Sequence, residues 1–265
     1  MTHRLLLAVV LFALILVSCC LILAESTDCA NPVLIVPDGR ITQSSITQNA
    51  TFWYGIYATT GHSYSVEFEP PADNYAGASH VIFSQPTVFG PNDTLAGCRG
   101  TSSVQVTPTS SYTPTIQKNG TGAGRRVSFT APVAGLYLVT ITNSGLAGNY
   151  TFQAVDTTLV NVDWSTGGGF DSEWMFHNVS DMPITGVLTV YDFGNNVLST
   201  AQTYIPPGAG VMRYSYWFDL NLPRNRTGYA LFSHNGPPNA IMAINYTVNA
   251  VFTVIAPVRM DPVVP

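Results

Sequence analysis

Val127-Ser128-Phe129-Thr130-Ala131-Pro132-Val133-Ala134-Gly135-Leu136-Tyr137-Leu138-Val139-Thr140-Ile141-Thr142, and soon after it Gly148-Asn149-Tyr150-Thr151-Phe152-Gln153-Ala154, decide the fold. Tyr137, Val139 and Ile141 alternate with Leu138, Thr140 and Thr142, and Tyr150, Phe152 and Ala154 alternate with Thr151 and Gln153. In an extended chain successive side chains point to opposite faces, so each run is a short strand with one face to bury. Pro132 and Gly135 stand between runs, where a turn uses them and a ladder does not. Upstream, Tyr64, Val66 and Phe68 alternate with Ser65 and Glu67 in the same way. Thr60-Gly61, Glu69-Pro70-Pro71-Ala72-Asp73, Gly90-Pro91-Asn92-Asp93 and Lys118-Asn119-Gly120 supply turns.

A second set of strands is predicted over Glu173–His177, Ile184–Tyr191, Val197–Tyr204, Gly210–Tyr216, Gly228–His234 and Ala240–Val248. Asp192 to Asn196 reads as a hairpin connection, and Ile205-Pro206-Pro207-Gly208 and Asn235-Gly236-Pro237-Pro238 as breaks. No helical periodicity lies between these runs. The expectation is an all-β chain of two tandem antiparallel β-sandwich domains, Ig-like or jelly-roll-like, after an N-terminal signal or anchor helix. The expected limits are 1–24 for the signal or anchor, 25–45 for an extended leader, 46–157 and 158–257 for the sandwiches, and 258–265 for an extended tail.

Composition narrows the classes. Only 9% of the 265 residues are charged, against about 25% in an ordinary domain. Aromatic residues make up 11%, too many for a disordered chain. The formal charge is -5 and Lys118 is the single lysine, which argues against nucleic acid as a partner.

Leu5 to Ala24 carry no charge and follow Arg4, the pattern of an export signal or membrane anchor. Three readings stand together. Leu16-Val17-Ser18-Cys19 resembles a bacterial lipobox, with Cys19 as the lipidated residue. Cleavage after Ala24 is the second, and an uncleaved span of the bilayer the third. The rest of the chain has no second apolar run of that length, so membrane contact is expected only through the N-terminal segment. The predicted address is extracellular or the cell surface. Cleavage after Ala24 leaves Cys29 and Cys98, which in an exported protein read as one disulfide, with two free thiols as the alternative. Their spacing does not suit a metal site. Seven sequons, at Asn49, Asn92, Asn119, Asn149, Asn178, Asn225 and Asn245, exceed a chance expectation of about three, an excess that turn-rich composition can itself produce.

The first unit, over about residues 50–156, resembles the bacterial pre-peptidase C-terminal domain. The resemblance rests on Gly61-His62-Ser63-Tyr64-Ser65-Val66, on Val127 to Val139 and on Gly148-Asn149-Tyr150-Thr151-Phe152. It implies a small β-sandwich with an accessory, non-catalytic role in an exported protein. The second unit, over about 160–258, is similar to a less sharply defined β-sandwich module of exported bacterial proteins. That similarity rests on Gly167-Gly168-Gly169-Phe170-Asp171, Ile205-Pro206-Pro207-Gly208 and His234 to Ile241.

No catalytic constellation is legible. A Gly-x-Ser-x-Gly elbow is absent from the sequence. His62 and Ser63 are neighbours and point to opposite faces, the wrong geometry for a base and its nucleophile. His62, His80, His177 and His234 have no partner at metal-ligand spacing, so neither a metal nor a cofactor is expected. Gly122-Ala123-Gly124-Arg125-Arg126 could attract an anion but reads better as a turn before a strand. Asp171 and Glu173 share a face. They are solvated groups at a strand start or, as a remote alternative, the carboxylates of a secreted hydrolase with His177. The most suggestive residues are aromatic. Trp53 and Tyr57 share a face of one strand, and Tyr214, Tyr216 and Phe218 alternate with Ser215 and Trp217. Flat rings in water can stack on sugars, which makes Trp53, Tyr57 and Trp217 the candidate ligand-binding residues; the alternative is packing between sheets. The reading is a non-enzymatic exported accessory or surface protein, with carbohydrate binding as its alternative. The partner would be an extracellular polysaccharide or a secreted protein.

Overall fold

The structure, a computed structural model, describes residues 25–70, 81–84, 86–91, 98, 110–112, 115–116, 122–249 and 254–263. The signal segment with Cys19, His80, the sequons at Asn92 and Asn119, and most of the turns around Asp73, Asp93 and Lys118 lie outside the described residues. Among those described, all the regular structure is β. The first eleven strands are β1 (Val33–Leu34), β2 (Thr42–Ile46), β3 (Thr51–Ala58), β4 (Ser63–Glu69), β5 (Thr87–Phe89), β6 (Ser110–Tyr112), β7 (Thr115–Ile116), β8 (Gly122–Ala123), β9 (Arg125–Thr130), β10 (Gly135–Thr142) and β11 (Gly148–Asp156). They form a four-stranded sheet in the order β1-β3-β10-β5, a five-stranded sheet in the order β2-β11-β4-β9-β6, and a small β7-β8 ribbon.

The alternation seen in the sequence sets which face is buried. Tyr54 and Ile56 of β3 and Tyr137, Val139 and Ile141 of β10 are sealed against Val66 and Phe68 of β4 and Tyr150 and Phe152 of β11. Tyr54 bridges the sheets, with its ring 4.8 Å from Phe152 and 5.6 Å from Phe68, and its hydroxyl meets that of Tyr150. Burying the hydroxyls without a partner would be costly, so the two tyrosines satisfy each other.

The second unit comprises β12 (Leu159–Ser165), β13 (Phe170–Asn178), β14 (Ile184–Asp192), β15 (Val197–Ile205), β16 (Gly210–Tyr214), β17 (Thr227–His234), β18 (Ile241–Asn249), β19 (Val254–Arg259) and β20 (Asp261–Pro262). A five-stranded sheet, β15-β14-β17-β12-β20, packs on a four-stranded one, β16-β13-β18-β19. Phe176 stacks on Phe232 between them at 3.9 Å. Gly186 of β14 leaves room for that ring, since a Cβ there would stand 2.2 Å from the Phe232 Cζ.

The leader and tail, expected as extended segments, contribute strands to the sheets. β1 lies parallel to β3 and β2 antiparallel to β11, so residues 33–46 supply an edge to each sheet of the first sandwich. At the other end β19 pairs with β18, and β20 with β12. Both segments are too short or too weakly alternating to announce strands; their pairing partners are distant in sequence. Cys29 and Cys98 form the disulfide, with Cα atoms 4.9 Å apart, and tie the leader to a point in the chain between β5 and β6. Asn178 and Asn245, two of the sequon residues, are sealed inside: Asn178 Nδ2 donates to the carbonyls of Met182, Ile205 and Pro206, and Asn245 Nδ2 to that of Glu173.

Polar bonds cross between the sandwiches at the chain passage Asp156-Thr157-Thr158. Thr157 Oγ1 donates to the carbonyls of Ser63 and His234, and the Ser233 hydroxyl donates to the Gly61 carbonyl. His62 Nδ1 lies 2.8 Å from Asp156 Oδ2. Arg126 is turned inward, 3% exposed, with Nη1 3.4 Å from Glu67 and Nη2 2.7 Å from the Met182 sulfur. Of the basic pair, Arg126 therefore serves this seam, while Arg125 Nη1 donates to the Gly124 carbonyl.

Two stability predictions follow from these contacts. Closing a loop of 69 residues should contribute about 4 kcal/mol through the unfolded chain, so Cys29→Ser/Cys98→Ser should lower the denaturation free energy of the first sandwich by up to about that amount. His234 is buried, and burial, reinforced by the Arg126 charge and opposed by Asp156, pulls its imidazole down from 6.5 to about 4. The unfolded chain gains that proton below about pH 6.5 and the folded chain only near pH 4. Stability is thus complete above that window and falls by roughly 3 kcal/mol as pH drops through it. Urea titrations at pH 7 and 4.5 should show a smaller acid loss in His234→Gln than in the parent chain.

Candidate functional site

Buried Trp174 and Phe176 on β13 force the intervening residues outward, because neighbours on a strand alternate. Asp171, Glu173, Met175 and His177 therefore belong to the outer face of the four-stranded sheet. Glu173 sits in register between Tyr214 of β16 and Tyr246 of β18. Met175 lies between Met212 and Ile244, and His177 between Gly210 and Met242. This face carries sulfur, aromatic and aliphatic groups where the sequence suggested a plain solvated surface.

β16 stops at Tyr214, two residues earlier than its alternation predicts. Ser215 is the buried residue, with its hydroxyl donating to Asp171 Oδ1 at 2.9 Å and accepting from the Ser172 N–H at 3.1 Å. The chain then folds into a tight turn. The N–H groups of Leu220, Asn221 and Leu222 donate to the carbonyls of Tyr214, Tyr216 and Ser215. Asn221 adopts a left-handed φ of 49°. Asp219 accepts from the Tyr214 N–H at 2.8 Å and from Arg213 Nη1 at 3.1 Å, and Arg213 Nε donates on to Thr203. Leu220 and Leu222 are buried in the core. The turn is thus bolted down on both sides while its rings stand out.

Those rings form a shelf. Trp217 is 82% exposed and Phe218 61%. Phe218 lies nearly parallel to Tyr216 at 5.5 Å, 5.6 Å from Tyr214 and edge-on to Trp217 at 6.0 Å. Beneath them, the Asp171 carboxylate is buried and ion-paired to Arg224 as well as bonded to Ser215. Glu173 is 8% exposed, and its carboxylate makes no hydrogen bond among the described residues. Burial, then the Asp171 charge, raises the Glu173 carboxyl above the ordinary 4.5. Burial followed by the charges of Asp171 and Glu173 raises the Tyr216 phenol, so that ring feels both carboxylates.

The other expected binding residues are placed differently. Trp53 and Tyr57 share the outer face of β3, but Trp53 is half-buried against Phe89 at 5.8 Å. Gly55 between them is covered: a Cβ there would stand 2.9 Å from Leu34 and 3.0 Å from Leu136. Tyr57 is exposed beyond this cover, so the two rings make no continuous platform. Asp171 and Glu173 do share a face; Asp171 is buried under Ser215 and Arg224 and not solvated as its position at a strand start suggested, while the Glu173 side chain is largely covered and its carboxylate still reaches solvent. His177 is four residues from Glu173, about 13 Å along the strand. The His62–Asp156 pair, invisible in the sequence, sits at the seam. A cavity of about 80 Å³ near it, lined by Asp156, Leu159, His234, Ile241 and Met260, is far below the several hundred Å³ of a small-molecule site.

No family model matches this chain, and no curated protein matches it. Among solved structures, a glycosyl hydrolase family 2 member from Bacteroides cellulosilyticus DSM 14838 aligns at 9% identity and a TM-score of 0.21, over 81% of this chain and 28% of that one. A beta-glucuronidase from glycoside hydrolase family 2 aligns at 10% identity and 0.17, over 80% of this chain and 24% of that one. The chain thus spans less than a third of the length of either.

The rigidity of the shelf rests on Asp219. Asp219→Ala strips a partner from the Tyr214 N–H and from Arg213, at a cost of about 1–3 kcal/mol. Trp217 fluorescence anisotropy should fall in this variant, with the overall strand signal in circular dichroism retained.

Proposed function

We propose that this chain is a non-catalytic binding module of an exported protein, and that its second sandwich holds carbohydrate on the shelf of Tyr214, Tyr216, Trp217 and Phe218. One observation carries the reading: Trp217 and Phe218 stand in water on a turn that is otherwise anchored by hydrogen bonds and by two buried leucines. Leaving a large apolar side chain exposed forfeits about 1.5–3 kcal/mol of burial, and here a rigid scaffold keeps it exposed. A pre-organised flat apolar face suits the apolar faces of sugar rings, because little motion is lost on binding.

Other features support the accessory role. The Cys29–Cys98 disulfide fits an oxidising compartment outside the cytosol. Asp171 is engaged by Ser215 and Arg224, which leaves Glu173 without a second free carboxylate for acid–base work on a glycosidic bond. The resemblance of the first sandwich to the pre-peptidase C-terminal domain points the same way.

Retention on a panel of insoluble glycans, cellulose, xylan, chitin and chitosan, tests the proposal. At least one should retain the protein. Trp217→Ala should weaken retention about tenfold, the equivalent of about 1.4 kcal/mol, and Trp53→Ala should leave it unchanged. Retention by none of them, or equal retention of Trp217→Ala and the parent, would refute the shelf.

A further inference from the structure

The shelf has a charged floor with one vacancy in its pairing. Asp171 is answered by the Arg224 guanidinium and the Ser215 hydroxyl. Glu173 has no such partner: its side chain is largely covered on the same outer face, its oxygens make no hydrogen bond among the described residues, and they keep contact with solvent. Its cross-strand neighbours on either side are tyrosines, Tyr214 and Tyr246, whose Cβ atoms in such pairs lie about 5 Å away. The Tyr214 ring leads directly to Phe218, and Tyr216 completes the contact from the turn. A carboxylate with aromatic neighbours on both adjoining strands attracts a cation and repels an anion. The face of a ring and the carboxylate act on a cation in the same sense.

We infer that the shelf selects glycans carrying free ammonium groups, with Glu173 as the partner of the ammonium and the aromatic rings as the seat of the sugar to which it is attached. This rests on the carbohydrate reading above and specifies its substrate class. Acetylated or neutral sugars can use the rings but leave Glu173 unanswered, and acidic sugars are opposed by it. The charged and titratable groups that face Glu173 are Asp171 and its partner Arg224, together with the phenols of Tyr214, Tyr216 and Tyr246. Asp171 and Arg224 offset each other, so the residual charge at the floor is that of Glu173.

The test compares soluble glucosamine oligomers with N-acetylglucosamine oligomers of equal length by calorimetry, at about pH 6 where amines of this type carry their proton. The parent chain should bind the free-amine oligomer about tenfold more tightly. Glu173→Gln should abolish that ratio while keeping the weaker affinity for the acetylated oligomer. Trp217→Ala should weaken both and preserve the ratio. In the parent chain the preference should also shrink as pH falls toward the Glu173 carboxyl range and as salt rises, readouts that do not depend on the variant's folding. An unchanged ratio in Glu173→Gln, or a parent preference for the acetylated form, overturns this inference and leaves the aromatic shelf standing. Binding of polylysine in preference to either oligomer reassigns the site to a cationic protein and overturns it too. Absence of binding to any glycan overturns the shelf itself.

Discussion

Trp174 and Phe176, closed against Phe232 and Asn161 at the centre of the second sandwich, determine where the chemically interesting side chains of that unit stand. Phe176 stacks on Phe232, and the Trp174 indole N–H donates to Asn161 Oδ1 at 3.1 Å. Once these positions are committed inward, the two-residue period of the strand leaves Glu173, Met175 and His177 no choice of face. A one-residue slip would put carboxylate and imidazole into the core and two large apolar side chains into water, so the register is strongly specified. The outer face of this sheet is therefore a consequence of core packing as much as of any requirement for binding.

The turn after β16 obeys a different constraint. Alternation through Tyr214, Ser215, Tyr216, Trp217 and Phe218 predicts that one parity reaches the core. Instead a serine takes the inward place, because its hydroxyl completes a set of buried bonds with Asp171 and Ser172 that no aromatic ring could make. The apolar anchoring passes to Leu220 and Leu222, five and seven residues past Ser215. Four rings are thereby left outside with their backbone held from both ends. This combination of fixed backbone and exposed ring distinguishes the shelf from singly exposed residues such as Phe193 or Val162, which need no functional account.

Strands whose evidence is local were legible. Tyr64, Val66 and Phe68, and Tyr150, Phe152 and Ala154, alternate cleanly and are buried as the pattern requires. The disulfide was legible from the cysteine count and the expectation of an oxidising compartment. Strands defined by a distant partner were not. β1 has two residues and runs parallel to β3, and β20 includes Pro262 at a sheet edge, so neither carries a periodic signal. The burial of Asp171 was illegible for the same reason, since Ser215 and Arg224 lie 44 and 53 residues away. Two carboxylates beside a glycine run look solvated until the chain returns with a hydroxyl and a guanidinium.

The seam joins these local arrangements into one larger problem of charge. Arg126, Asp156 and His234 are withdrawn from water, and Glu67, half-buried beside them, pairs with Arg126. Burial raises the Glu67 carboxyl, and the Arg126 charge pulls it back. Burial first, and then the same cation, disfavours a proton on His234. Apolar residues at these places would bury at less cost, since buried ion pairs rarely improve on good packing. What the polar seam adds is direction: hydroxyls, carbonyls and the guanidinium accept partners only along particular lines. Thr157 can reach both Ser63 and His234 only while the end of β17 stays against the start of β4. Two sandwiches linked by two residues alone would otherwise be free to swivel, and directional bonds across the passage are the physical means of preventing it.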